Sequence, residues 1–293
     1  MTIYQHLRYD FNVTDLKWEL LVEGFGRLEA PRLDAEGRLC FADMRPPGKV
    51  LRLEPDGSVT TLADREHVGG LALHVDGGIV ASGPTVAIIG EGDAERVLLE
   101  PGSGWGFNDM ATDPTGNIFV GKFGERPTGS VSAVATGSLW RISSGGLTTH
   151  CYDGIQLTNG IGVAPDGAHL YHNDTGARVV WVSDLDNGLP VNRRVLYEFS
   201  DAHPDGMAID ELGCLWVAAI GSGKLIRVTP NGEEDQVSEG PQDWTSSVCF
   251  GGTDRRDLYA VTFGGEPYDT DRSGGVYRAR VDVAGAVVHP ARV

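Results

Sequence analysis

Five glycines, Gly37, Gly77, Gly116, Gly167 and Gly213, fall 40, 39, 51 and 46 residues apart along the chain. Each lies in an Asp-containing turn that opens onto an apolar run: "LDAEGRLCFAD" (33–43), "LHVDGGIVASG" (73–83), "TDPTGNIFVGK" (112–122), "VAPDGAHLYHN" (163–173) and "IDELGCLWVAA" (209–219). A sixth, looser copy, "GGTDRRDLYAV" (251–261), has Arg256 at the place of the glycine. After each copy comes a pair of strand-like runs joined by a Gly, Asp or Asn turn, as in "GKVLRLEPDGSVTTLAD" (48–64), "GKLIRVTPNGEEDQVSE" (223–239) and "GGVYRARVDVAGAVVHPARV" (274–293). With one strand ahead of the turn, each unit holds four strands in about 40–50 residues, the size of a propeller blade.

Six such units predict an all-β, six-bladed propeller with four-stranded antiparallel blades, one domain over residues 1–293 with 1–14 as an N-terminal extension. A β-sandwich accounts poorly for the regular period, and no helical periodicity competes. The segment "DLKWELLVEG" (15–24) falls outside the six copies. It is expected to add the outer strand of the last blade and close the ring, leaving no open sheet edge. The 41 glycines in 293 residues agree with many tight turns, at about twice the average usage of roughly 7%.

A net charge of −17 argues against nucleic acid or an anionic membrane as a partner. No apolar stretch reaches the roughly 18 residues that span a bilayer. The start, "MTIYQHLRYDFNVTD", lacks the apolar core of a signal peptide. Cys40, Cys151, Cys214 and Cys249 are far apart and form no CxxC pair, so free thiols are expected. Together these predict a cytoplasmic protein acting on a small molecule, as a monomer or weak homo-oligomer.

In a propeller the innermost strand of each blade runs along the central channel, so equivalent positions converge on the axis. Eight residues before the turn position stand Glu29, Gly69, Asn108, Asn159 and Asp205, with Val248 in the sixth copy. Four of these carry oxygen-bearing side chains and two are carboxylates. Asn and Asp are also ordinary turn residues that satisfy local backbone groups. The offset shared by four blades weighs instead for a central divalent metal site. Ca²⁺ or Zn²⁺ fits best, with Mn²⁺ or Mg²⁺ as alternatives.

These residues carry a resemblance. "LEAPRLDAEGRLCFADM" (28–44), "FNDMATDPTG" (107–116), "TNGIGVAPDGAHLY" (158–171), "PDGMAIDELGCLWVA" (204–218) and "SSVCFGGTDRRDLYAVT" (246–262) resemble, in order, the motifs of the SMP-30/gluconolactonase/luciferin-regenerating-enzyme family. The resemblance implies one catalytic divalent metal held by Glu29, Asn159 and Asp205, with Asn108 touching metal or substrate. It implies hydrolysis of sugar-acid lactones. The ion would polarise the carbonyl and activate water, and Asp205 would take the proton. Asn108 would bind a substrate hydroxyl or the developing oxyanion.

One departure bears on the substrate. Sugar-lactone members often have an Arg two residues before the Asn of the "FNDM" motif, and here that position is Gly106, next to Trp105. The pocket is therefore expected to suit a bulkier, less polar ring better than an acidic one. His67 and His203 occupy the same register in other blades and join Trp105 and Gly106 as candidate substrate contacts. Lys122 and Phe123 are weaker candidates. Two alternatives stay open: another reaction at the same metal (ester or organophosphate hydrolysis, a lyase or isomerase step), and a non-enzymatic binding propeller. Neither "GSGWGFND" nor "IGSGKL" has the strand and helix context of a nucleotide-binding loop.

Overall fold

The predicted turns form around backbone hydrogen bonds three residues long. Gly37 N–H donates to Asp34 O at 3.0 Å, Gly116 to Asp113 at 2.9 Å and Gly213 to Asp210 at 2.9 Å. The five glycines have φ between 72° and 85°, a left-handed conformation that other residues adopt at a cost. The aspartates have their own task. The carboxylate of Asp34 accepts from the N–H of Glu36 and Arg38, that of Asp113 from Thr115 and Asn117, and that of Asp210 from Leu212 and Cys214. These Asx turns explain why the sequence repeats Asp there.

The structure, a computed structural model, describes residues 15–90, 95–124, 136–265 and 272–293. The expected extension (1–14) lies outside the described residues. Six four-stranded antiparallel sheets follow one another along the chain. Their innermost strands are Leu28–Leu33, Leu71–Leu73, Gly106–Thr112, Thr158–Val163, His203–Ile209 and Thr245–Gly251, in blades 1 to 6. The strand Glu19–Phe25 pairs with Gly274–Arg280 as the outer strand of blade 6, which closes the ring as expected.

Six apolar clusters hold the blades together, one at each interface between consecutive blades. Leu28 and Phe41 of blade 1 pack with Tyr259 and Val261 of blade 6, and Phe119 and Leu139 of blade 3 with Ile161 and Leu170 of blade 4. Both faces of each inner sheet are therefore buried, which is why these strands read as continuous apolar runs instead of alternating ones. All four cysteines are free, Cys151 half-buried and the others buried. Burial pushes the thiols of Cys40, Cys151 and Cys249 up to about 12 and that of Cys214 to about 11, so none is a ready nucleophile.

Two expectations are corrected. In the sixth turn Arg255, with φ 56°, donates its N–H to Gly252 O at 3.1 Å and so occupies the glycine position, not Arg256. The residue eight places earlier is then Ser247. Val248 instead faces blade 5, packed with Trp216 and Ala218. The second correction concerns the end of the chain. Residues after Arg280 do not form the fourth strand of blade 6. They cross the far end of the channel, where Ala286 N–H donates to Ile209 O (2.9 Å), Ala291 to Leu73 O (2.7 Å) and Arg292 to Gly116 O (2.9 Å). This strap ties blades 5, 2 and 3 together. With Val287 and Val288 it floors a cavity of about 100 Å³ whose walls include Met110, Ile161 and Met207. Among the described residues no helix is long and apolar enough to cross a membrane.

Candidate active site

Register shifts place the polar side chains. The inner strands of blades 1, 3, 4 and 5 slip against their neighbours between Glu29 and Arg32, Phe107 and Met110, Thr158 and Ile161, and Pro204 and Met207. Such bulges re-aim one side chain without ending the strand. Each falls at one of the residues singled out by the offset, and in blade 1 it forces Ala30 to φ 54°.

Asn108 and Asn159 meet directly. Asn108 Nδ2 donates to Thr158 O at 2.7 Å and to Asn159 Oδ1 at 3.2 Å. The orientation of Asn159 follows from Thr175. The Thr175 hydroxyl spends its one proton on Pro204 O at 2.6 Å, so it can only accept from Asn159, whose Nδ2 stands at 3.1 Å. The amide oxygen of Asn159 is thereby turned towards Asn108. Space for Asn108 comes from blade 2: a Cβ on Gly69 would lie 1.8 Å from Asn108 Oδ1.

Glu29 and Asp205 are buried, 7% and 3% exposed, on opposite sides of this pair. Removal from water raises the Asp205 carboxyl well above the usual range, and the charge of Asp109 adds to it. Desolvation raises Glu29 likewise, reinforced by Asp205 and Asp109 and opposed by Arg27. Asp205 Oδ1 is buried and accepts no hydrogen bond among the described residues, while the backbone oxygen of Asp205 is held by Asn173 Nδ2 at 2.7 Å. Asp109 is 3% exposed and paired with Arg32 at 3.3 Å.

These residues fit a hard cation. Two desolvated carboxylates, one with an orphaned oxygen, and an amide oxygen locked inwards form an oxygen-only donor set. Among the described residues no three His, Cys, Asp or Glu side chains group closely enough to bind an ion by themselves, so the amides would be needed.

The other candidates lie around the mouth. The His67 and Trp105 rings are 4.9 Å apart and Trp105 and Phe123 5.4 Å, forming an aromatic wall at blades 2 and 3. His203 Nδ1 is 3.0 Å from Thr175 O, so this histidine supports the residue that orients Asn159. Lys122 leans over the Trp140 ring at 5.5 Å. Gly106 offers no route for a side chain. Its φ is 153°, and a Cβ would sit 2.6 Å from Gly83 O.

Sequence reasoning missed Thr175, Thr158, Asn173, Asp109 and Ser247. The first four act through contacts between blades that no repeat offset displays. Asp109 adjoins Asn108 and could have been suspected from "FND". Ser247 was hidden by the one-residue shift in the sixth turn, and it packs where a Cβ on Gly206 would stand 2.1 Å from its Oγ.

Behind Thr158 lies a buried histidine. His172 Nε2 is 2.7 Å from Thr158 Oγ1 and its Nδ1 3.0 Å from Tyr152 Oη. Burial lowers its pKa from 6.5 to about 3, so it is neutral in the folded protein. Between those values the unfolded chain binds the proton and the folded one does not, so stability falls as pH drops below 6.5. One such group gives a slope of about 1.4 kcal/mol per pH unit. His172→Gln should remove that part of the acid sensitivity, read as a smaller difference in unfolding free energy between pH 6 and 4. An unaltered slope would show that His172 does not titrate this way.

Residues 28–264 match the family described as the SMP-30/gluconolactonase/LRE-like region. The chain is 33% identical over 253 residues to 6-deoxy-6-sulfogluconolactonase of Pseudomonas putida, covering 81% of this chain and 85% of that protein. It is 32% identical to regucalcin of Xenopus laevis, covering 84% and 87%. A solved structure of a calcium-binding protein, regucalcin, from Agrobacterium tumefaciens superposes with a TM-score of 0.84 at 21% identity, covering 96% of this chain and 99% of that one.

Proposed function

We propose that this chain, which belongs to the SMP-30/gluconolactonase/LRE-like family, is a divalent-metal-dependent lactonase. The observation that carries the reading is the buried Glu29–Asp205 pair, with Asp205 Oδ1 unpartnered among the described residues, together with the inward amide oxygen of Asn159. Lactonases among its relatives, such as the 6-deoxy-6-sulfogluconolactonase, support the reaction class.

Glu29, Asn159 and Asp205 would hold the ion, and oxygen-only donors favour Ca²⁺ over Zn²⁺, which prefers nitrogen and sulfur. When bound it would polarise the ester carbonyl and lower the pKa of water. The Asp205 carboxylate accepts the proton of the attacking water, a role its desolvation favours. The oxygen adds to the ester carbon, the ring C–O bond breaks, and the proton passes to the alkoxide that leaves. Asn108 spends its two N–H groups on Thr158 O and Asn159 Oδ1, which leaves its Oδ1 to accept from a substrate hydroxyl. The strap crosses the far end, so substrate would enter from the other, past the aromatic wall.

The partner proposed is a small molecule, met by a soluble monomer or weak oligomer. The His67–Trp105–Phe123 wall also favours a second reading, an ester or organophosphate of lower polarity at the same centre. An acid-release assay on aldonolactones, aryl esters and an organophosphate, with chelator and with Ca²⁺ restored, tests both. Lactone hydrolysis lost to chelator and recovered with Ca²⁺ is expected. Hydrolysis indifferent to chelator, or confined to the aryl esters, overturns the lactonase reading.

A further inference from the structure

Arg27 lies two residues before Glu29 at the mouth end of blade 1. Leu28 between them is fully buried against blade 6, and Arg27 lies close enough to Glu29 for its charge to act on that carboxyl. The Arg27 backbone is anchored on both sides. Asp43 accepts the N–H groups of Gly26 at 3.1 Å and Arg27 at 3.2 Å, and Arg27 O accepts from Met44 N–H at 2.8 Å. The side chain is half-buried, yet its guanidinium makes no hydrogen bond or ion pair among the described residues. Other arginines of the chain are engaged: Arg32 with Asp109, Arg38 with Asp34, Arg65 with Glu95 and Arg227 with Asp210.

The same register position in the other blades holds His67, Gly106, Leu157, His203 and Thr245, so Arg27 is the one permanent cation of the set. Blade 3 cannot supply another, because Gly83 O blocks any side chain at Gly106. A half-buried guanidinium beside Glu29, with no hydrogen bond or ion pair among the described residues, is a ready partner for an anion entering with the substrate. Its planar fork matches the two oxygens of a carboxylate.

We propose that Arg27 selects lactones carrying a free carboxylate away from the ester, gripping that group while the ester lies over the acidic ring. This rests on the lactonase reading and reverses the expectation, drawn from Gly106, of a site poorly suited to acidic substrates.

The test compares a glucarolactone, which bears a carboxylate, with neutral gluconolactone in the Ca²⁺-loaded protein. Arg27→Gln should lower the ratio of kcat/KM for the charged over the neutral lactone about 10- to 100-fold, chiefly through KM, the range of a charge-assisted hydrogen bond. Arg27→Lys should give an intermediate ratio, and thermal melts establish that both variants fold. An unchanged ratio overturns the inference while leaving the lactonase reading intact. If neither lactone is hydrolysed, that reading fails and Arg27 is judged by calorimetry. Glucarate should then bind the wild type at least 10-fold more tightly than Arg27→Gln, and equal or absent binding overturns the inference.

Discussion

Replacing Asp205 with Asn should sharply reduce metal-dependent hydrolysis and at the same time stabilise the metal-free protein. The two effects share one cause. Asp205 is 3% exposed, one of its oxygens has no donor among the described residues, and Glu29 and Asp109 add negative charge nearby. Without a cation this arrangement is costly. Ionising a buried carboxyl is resisted by desolvation, so its folded pKa is raised and the folded state retains a proton that the unfolded chain releases near pH 4. Stability of the metal-free protein should therefore fall as pH rises from about 4 through the raised folded value, and stay low above it. Asn keeps the shape and removes the charge, so the metal-free variant should melt higher than wild type at pH 8 and with less pH dependence. Added Ca²⁺ should raise the melting temperature of wild type far more than that of the variant. Activity should drop roughly 10³-fold, beyond the 10–100-fold typical of losing a residue that only supports a ligand. Thermal unfolding at pH 5 and 8, with Ca²⁺ or chelator, together with the lactone assay, decides it. A variant that keeps wild-type turnover, or a metal-free form that melts lower at pH 8, would remove Asp205 from its proposed role.

The architecture was legible because a propeller repeats its physics. The turn needs a left-handed residue and a side chain to satisfy its N–H groups, so Gly37 with Asp34 and Gly213 with Asp210 recur at blade spacing. The inner positions were legible for the same reason: a fixed offset from that turn selects Glu29, Asn108, Asn159 and Asp205, and four bulges then aim them. Failure began where one blade does not copy the others. The sixth turn uses Arg255 in the left-handed place, which moved the offset from Ser247 to Val248. The residues that orient the ring were invisible for a different reason. Thr175 reaches Pro204, and Asn173 reaches Asp205, across blade boundaries, and such pairings depend on the closed ring. Gly106 misled because an absent side chain was read as a lost contact. Its conformation and the Gly83 carbonyl make it a backbone requirement.

The largest effect from a single added carbon is expected at Gly69. It is the blade 2 member of the inner ring and carries no ligand atom, so a reading confined to chemistry would pass over it. A Cβ there would lie 1.8 Å from Asn108 Oδ1 and 2.9 Å from Asn108 Cγ. A Cβ on neighbouring Gly70 would also meet the blade 3 backbone, 2.7 Å from Asn108 O, so the two strands pack backbone to backbone here and the side chain is the part free to move. The Asn108 side chain must therefore turn away, giving up its bonds to Thr158 O and Asn159 Oδ1. Glu29, Asn159 and Asp205 remain, so Gly69→Ala should keep Ca²⁺ affinity within a few-fold by calorimetry while kcat/KM falls about 10²-fold, the usual penalty for displacing a positioned group by an ångström. Asn108→Ala should cause a loss of similar size. The double variant should then be no worse than Asn108→Ala alone, because both substitutions remove the same amide from the same place. Additive losses would mean that Gly69 acts by some route other than Asn108. A parallel loss of Ca²⁺ binding would mean that the clash spreads through the whole ring.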